Sequence, residues 1–193
     1  MVISFLHFRY IAMEKCLVSF SDYCRQPQLY HGVIPMPSDQ QVLLQMAEGL
    51  QYIHSRNLIH RDVKPGNILI SAENPAVIKF ADFGLAKYVL NRKDEVTWTM
   101  RQGTEGWMAP EVEIKSQNPS REEKVKAGQK SDIFALGCVF FFFLVPGIHP
   151  FGNNKTEIKK NIKSGNQHGI NVDSKWWLWL NSSVLKKYPL NSF

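Results

Sequence analysis

Cysteine is scarce in this chain: three among 193 residues, at Cys16, Cys24 and Cys138. No two form a Cys-x-x-Cys pair and the number is odd, which excludes a disulfide framework or a zinc site and fits a reducing compartment. Long apolar runs are lacking too. Ile133 to Val145, thirteen residues ending at Pro146-Gly147, falls short of the roughly 20 that a membrane span needs. It predicts a buried core helix, with capping residues in the flank Lys130-Ser131-Asp132. No signal peptide is expected, because His7 and Arg9 interrupt the short apolar start. The net charge of +6 is scattered, with no run of five basic residues. That reads as a solvated surface rather than a nucleic-acid patch.

What is present describes one globular domain with a real core: 44% hydrophobic and 21% charged residues. Ser38 to Ser55 is the clearest helix. Ser38 and Gln41 make a capping box, and Val42, Leu43, Met46, Leu50 and Ile53 share one helical face. Leu58-Ile59 leads out of it. Ile68-Leu69-Ile70 and Val77 to Phe80 read as strands joined by the turn-rich 71–76. This hairpin brings Asn67 and Asp82 together at one end. Phe8 to Cys16 reads as a strand entering a linker.

Three motifs occupy these positions in order. His60-Arg61-Asp62-Val63-Lys64-Pro65-Gly66-Asn67 precedes the hairpin, Asp82-Phe83-Gly84 follows it, and Ala109-Pro110-Glu111 ends at Glu111, twenty-nine residues after Asp82. Singly each is an ordinary turn or loop; the order and spacing together resemble the catalytic loop, metal-binding turn and activation-segment end of a protein kinase. The implied fold is α+β, mainly the helical C-terminal lobe with a strand and hinge remnant of the N-lobe.

The resemblance assigns roles. Asp62 accepts the proton of the attacking hydroxyl and orients it toward the γ-phosphate, and Lys64 reaches that phosphate as a mobile charge. Asn67 and Asp82 hold Mg²⁺ on bound ATP. Lys64 at that place matches the serine/threonine type, so the expected substrate is a protein with a Ser or Thr acceptor. Thr104 braces Asp62 and Lys64. His60 packs under Phe83, and Asp132 holds the catalytic-loop backbone, unless it is simply an N-cap residue. At the start of the chain Met13 becomes the gatekeeper, and the backbone of Glu14 and Cys16 binds adenine. Within the activation segment, Thr97 and Thr99 are candidate phosphorylation sites with Arg61 as the phosphate's partner; both can equally be unmodified loop residues.

Gly103-Thr104-Glu105-Gly106-Trp107, with Asp132-Ile133-Phe134-Ala135-Leu136-Gly137-Cys138 and His149-Pro150-Phe151-Gly152, narrows the resemblance to the endoplasmic-reticulum unfolded-protein sensors that join a kinase to an endoribonuclease. Those proteins are membrane-anchored with the kinase facing the cytosol, and a cytoplasmic setting is expected here. The implied division is 1–16 as last N-lobe strand and hinge, 17–163 as C-lobe, and 164–193 as a divergent tail. The 193 residues contain no glycine-rich phosphate loop, strand lysine or partner glutamate, and no arginine to pair with Glu111 is recognisable. Trp176, Trp177 and Trp179 in the tail read as a helix covering exposed core, a partner site, or unrelated sequence. The expected function is ATP- and Mg²⁺-dependent phosphoryl transfer, feeble or absent in these residues alone. The rival is a non-catalytic interaction module that pairs with itself or a partner protein. No nucleic acid or membrane segment is expected.

Overall fold

The computed structural model describes residues 2–5, 8–11, 13–89, 96–98, 103–115 and 125–166. In chain order the elements are β1 (Val2–Phe5), β2 (Phe8–Ile11), β3 (Cys16–Ser19), α1 (Phe20–Arg25), α2 (Pro27–Tyr30), α3 (Asp39–Ser55), β4 (Leu58–Ile59), β5 (Ile68–Ser71), β6 (Ile78–Phe80), β7 (Lys87–Tyr88), β8 (Val96–Trp98), α4 (Pro110–Lys115), β9 (Val125–Ala127), α5 (Gln129–Leu144) and α6 (Lys155–Ser164). This is an α+β arrangement, with small antiparallel sheets set around a helical body.

The expected capping box starts α3. The Gln41 amide donates to Ser38 Oγ at 3.4 Å, and the Ser38 amide donates to Gln41 Oε1 at 3.1 Å. One face of α3 then buries Val42, Leu43, Met46, Leu50 and Ile53, the five residues its periodicity singles out. They join Phe20, Ile68, Ile70, Leu136, Val139, Phe140 and Phe142 in one core. Truncating a side chain such as Met46 there costs about 2–5 kcal/mol.

The three-stranded sheet runs β3–β5–β6 and is antiparallel throughout. Ile68 faces Phe80 and Ile70 faces Ile78, and the Ala81 amide donates to the Asn67 carbonyl at 2.8 Å. The hairpin therefore brings residue 67 beside residues 81 and 82, as its sequence implies. Leu58-Ile59 leads into the catalytic loop as expected, and does so as a strand paired with Lys87–Tyr88. Two expectations need correction. Cys16 does not close a linker; it opens β3 and pairs with Ser71. The core helix begins at Gln129, with Gly128 at its N-cap and no side-chain cap. Ser131 and Asp132 thus lie inside its first turns, and their side chains are free to bond elsewhere.

No helix among the described residues is long and apolar enough to cross a membrane. Trp176, Trp177, Trp179 and Thr99 lie outside the described residues. Thr97 falls on β8, which pairs with β9.

The turn after α5 buries a histidine. His149 is 7% exposed, its Nδ1 accepts from the Phe151 amide at 3.2 Å, and Trp107 meets the ring edge-on at 4.6 Å. Burial pushes its pKa down to about 4, and the Gly106 backbone offsets only part of this. An unfolded histidine titrates near 6.5. The stabilisation is therefore fully present above about pH 6.5 and is lost as pH falls toward 4, by up to about 3 kcal/mol. Urea midpoints are expected to drop across that window and to drop less in His149→Phe; parallel profiles for the two proteins count against the assignment.

Candidate active site

The loop from His60 to Asn67 enters from β4 and leaves into β5, and its entry is held from below by α5. Asp132 Oδ2 accepts from the His60 amide at 2.8 Å and Oδ1 from the Arg61 amide at 2.9 Å. The His54 ring, in the last turn of α3, sits with Nε2 at 2.9 Å from Asp132 Oδ2. Arg61 needs this anchorage: its φ of +67° is a left-handed conformation that non-glycine residues rarely adopt. So Asp132 is not a cap. It is the buried post, 2% exposed, to which the catalytic-loop backbone is tied.

His60 is fully buried and its ring lies 5.0 Å from Phe83. Its Nδ1 accepts from the Asp62 amide at 3.3 Å, which puts the proton on Nε2, 3.1 Å from the Ala81 carbonyl. One ring thus links the loop to the Asp82 turn. Arg61 Nε donates to the Leu85 carbonyl, a second link to the same turn. Burial lowers the Arg61 pKa, with Asp132 opposing.

Above this base lies a closed triangle. Lys64 Nζ is 2.6 Å from Asp62 Oδ2 and 2.6 Å from Thr104 Oγ1, and Thr104 Oγ1 donates to Asp62 Oδ1 at 2.7 Å. Asn67 Nδ2 adds bonds to the Asp62 carbonyl at 2.9 Å and to Oδ2 at 2.8 Å. Burial would raise the Asp62 pKa, but hydrogen bonds from Lys64 and Thr104, the Lys64 charge and the Asn67 bond outweigh it. The net effect holds the carboxyl below its ordinary value. The carboxylate stays ionised and ready to accept a proton.

With both Nδ2 bonds spent on Asp62, Asn67 has its carbonyl oxygen left to offer. Asp82 is exposed at φ +59°, with Oδ1 accepting from the Gly84 amide at 3.3 Å. A neutral carbonyl and a carboxylate are the hard oxygen donors that suit Mg²⁺, which takes one or two protein ligands plus phosphate and water. Among the described residues no group of three or more His, Cys, Asp or Glu forms a metal site, in keeping with so sparse a ligand set.

The expected adenine-binding residues are placed less tightly. Met13 is 76% exposed. The Glu14 carboxylate meets Lys79 at 2.5 Å, and Lys79 also meets Glu73 at 2.9 Å, so the segment is tied to β6. Cys16 is half-buried, its thiol pushed up by burial and Glu14 against the pull of Lys79.

Two residues lacked a sequence signal. A histidine in the last turn of a helix such as His54 is ordinary. Ser131 read as a cap, yet its Oγ donates to Glu111 Oε1 at 2.8 Å, so neighbouring residues of α5 hold the end of the activation segment and the catalytic loop.

A family model described as protein kinase domain matches residues 5–186. The serine/threonine-protein kinase/endoribonuclease ire-1 of Caenorhabditis elegans is 37% identical over 155 residues, 76% of this chain and 15% of that protein. The sensor for unfolded proteins in the ER ire1 of Schizosaccharomyces pombe is 34% identical over 185 residues, 86% of this chain and 17% of its own length. The Saccharomyces cerevisiae serine/threonine-protein kinase RAD53 is 32% identical over 143 residues, 72% and 17%. The chain thus spans only about a sixth of these relatives. A solved structure of the yeast RNA Pol II CTD kinase CTDK-1 complex superposes with a TM-score of 0.61 at 24% identity, over 83% of this chain and 48% of that one, a likeness of fold. With the motif geometry and the family match in agreement, the chain belongs to the protein kinase domain family.

Proposed function

We propose that this chain carries the lower half of a protein serine/threonine kinase site and transfers the γ-phosphate of ATP to a Ser or Thr hydroxyl of a protein. The observation that carries the reading is the Asp62–Lys64–Thr104 triangle with Asn67 behind it. Such an arrangement suits a transfer that depends on positioning and charge neutralisation more than on covalent chemistry.

In this reading Asp62 Oδ orients the acceptor hydroxyl and takes its proton. Lys64 shifts from Asp62 and Thr104 toward the transferring phosphoryl group. Thr104 keeps the carboxylate aimed, and Asn67 fixes it from behind. Asn67 and Asp82 would hold Mg²⁺, which when bound would supply neutralisation of the phosphate charge. Met13 and the backbone of Glu14 and Cys16 line the adenine slot, in an N-lobe and hinge segment that gives way to the C-lobe where Cys16 opens β3. We place this reaction in the cytosol, on the pattern of the unfolded-protein sensors.

Incubating the 193-residue chain with labelled ATP, Mg²⁺ and a generic protein substrate tests the reading. The sequence holds no glycine-rich loop over the phosphates. Label is therefore expected on Ser or Thr at a rate well below the ~1–100 s⁻¹ usual for kinases. Label on Tyr overturns the acceptor assignment, and no label on any protein favours the non-catalytic interaction module.

A further inference from the structure

Immediately after Thr104, the loop that braces the catalytic carboxylate runs onto a lysine-rich helix. Glu105 meets Lys159 of α6 at 2.7 Å. Gly106, at φ +87°, lies so close that an added Cβ would come within 3.2 Å of Ile158 Cγ2. In the separate turn that leads from α5 into α6, an added Cβ at Gly152 would strike the Glu157 side chain at 2.8 Å, and Asn161 Nδ2 donates to the Phe151 carbonyl at 2.8 Å. Asn154 caps the start of α6 by accepting from the Glu157 amide, and Gly165 closes its end at φ +71°. The helix is therefore held firmly against the loop beside Asp62.

Its solvent side carries Lys155 and Lys160, with Lys159 and Lys163 half-buried beside them. Lys155, Lys159 and Lys163 fall at i, i+4 and i+8 and so share one face, and Lys160 is one turn from Lys163. Against four lysines the helix has one acid, Glu157, whose side chain turns back to the Asn153 amide at 3.0 Å. Lys155 and Lys160 are exposed, and neither forms a salt bridge among the described residues. Four like charges on ten residues repel one another, and of the four only Lys159 is used to hold α6 against the loop, through Glu105.

We infer that this face of α6 recognises acidic residues of the protein substrate that flank the accepting Ser or Thr. The inference rests on the kinase reading for its acceptor. Thr104 touches Asp62 and the next residue touches Lys159. An extended peptide advances roughly 3.3–3.6 Å per residue, so acidic residues a few positions from a hydroxyl placed at Asp62 are the ones that reach the stripe. Glu105 already occupies one lysine, serving as an internal stand-in that a substrate carboxylate displaces or joins. Single surface ion pairs are weak, so selectivity comes from several acids meeting several lysines together, and it fades with salt.

Fluorescence anisotropy with the 193-residue chain tests this using three peptides that share one Ser and carry four Glu, four Gln or four Lys within five residues of it. At low salt the Glu peptide is expected to bind about tenfold more tightly than the Gln peptide, and the Lys peptide more weakly than either. The double variant Lys155→Glu/Lys160→Glu, checked for folding by circular dichroism, is expected to lose or reverse that order. Equal binding of the three peptides, or an unchanged order in the variant, overturns the proposal. Tighter binding of a single-stranded RNA 20-mer to the same lysines also overturns it, in favour of a nucleic-acid surface. Labelled-ATP transfer to the same peptides separates this inference from the kinase reading. Acid-selective binding without transfer leaves the surface standing and the kinase reading failed; transfer without acid preference does the reverse.

Discussion

Replacing Asp132 by alanine is expected to destabilise the fold by about 3–5 kcal/mol, a large share of the ~5–15 kcal/mol that holds a typical domain together. Its two oxygens serve the His60 amide, the Arg61 amide and the His54 ring at 2.8–2.9 Å. His60 is fully buried, so its amide has no route to water once the carboxylate is gone, and each orphaned buried group costs about 1–3 kcal/mol. The loss also frees Arg61 from its left-handed conformation, which unmoors Asp62 one residue later. Asp132→Asn keeps one acceptor oxygen and is expected to fall between the two. Urea unfolding of the three proteins measures this; an alanine variant as stable as the parent contradicts the role of Asp132 as the anchor.

The second large effect concerns chemistry. Asp62→Asn keeps the size of the side chain and leaves the Asn67 bond to the residue 62 carbonyl in place, but removes the proton acceptor. Phosphate transfer is expected to fall by about 10²–10⁴-fold, the range that a positioned general base supplies, with nucleotide affinity little changed. Thr104→Ala, which removes one of the bonds aiming the carboxylate, is expected to cost less, and Thr104→Ser to restore the difference. Because Lys64, Thr104 and Asn67 together hold the Asp62 pKa below its ordinary value despite burial, the carboxylate is the ionised species through the usual working range. The acid limb of the kcat/KM profile, which reports the free protein, is therefore expected below the usual Asp value of about 3.9. A limb well above it counts against Asp62 as the base.

Much of this site was legible in the chain because its parts are local. The catalytic loop and the Asp82 turn flank a single hairpin, so two strands and a short connection are enough to bring Asn67 beside residues 81 and 82. The helix before them announced itself through the capping box at Ser38 and five apolar positions on one face. Asp132 was reached only through the family resemblance. By itself the sequence around it reads as a helix cap, because Ser and Asp are favoured there, whereas the helix starts earlier at a glycine. That early start turns Ser131 toward Glu111 and Asp132 toward the loop, contacts 20 and about 70 residues apart in sequence. No periodicity encodes such distances. Helix α6 was missed for a different reason: two isoleucines among four lysines make a thin apolar signal, and its position depends on the close approach at Gly106 and Gly152.

Calorimetry of ATP binding tests most directly whether Asn67 and Asp82 form one metal-dependent nucleotide site beside Asp62. The titration is run on the 193-residue chain with Mg²⁺, with Mg²⁺ removed by chelator, and on Asp82→Asn with Mg²⁺. Binding heat is expected in the first case alone, or at least tenfold weaker in the other two, since Asp82 supplies the anionic ligand. Equal ATP affinity under all three conditions would contradict the assignment of this loop and turn as the lower half of a kinase active site.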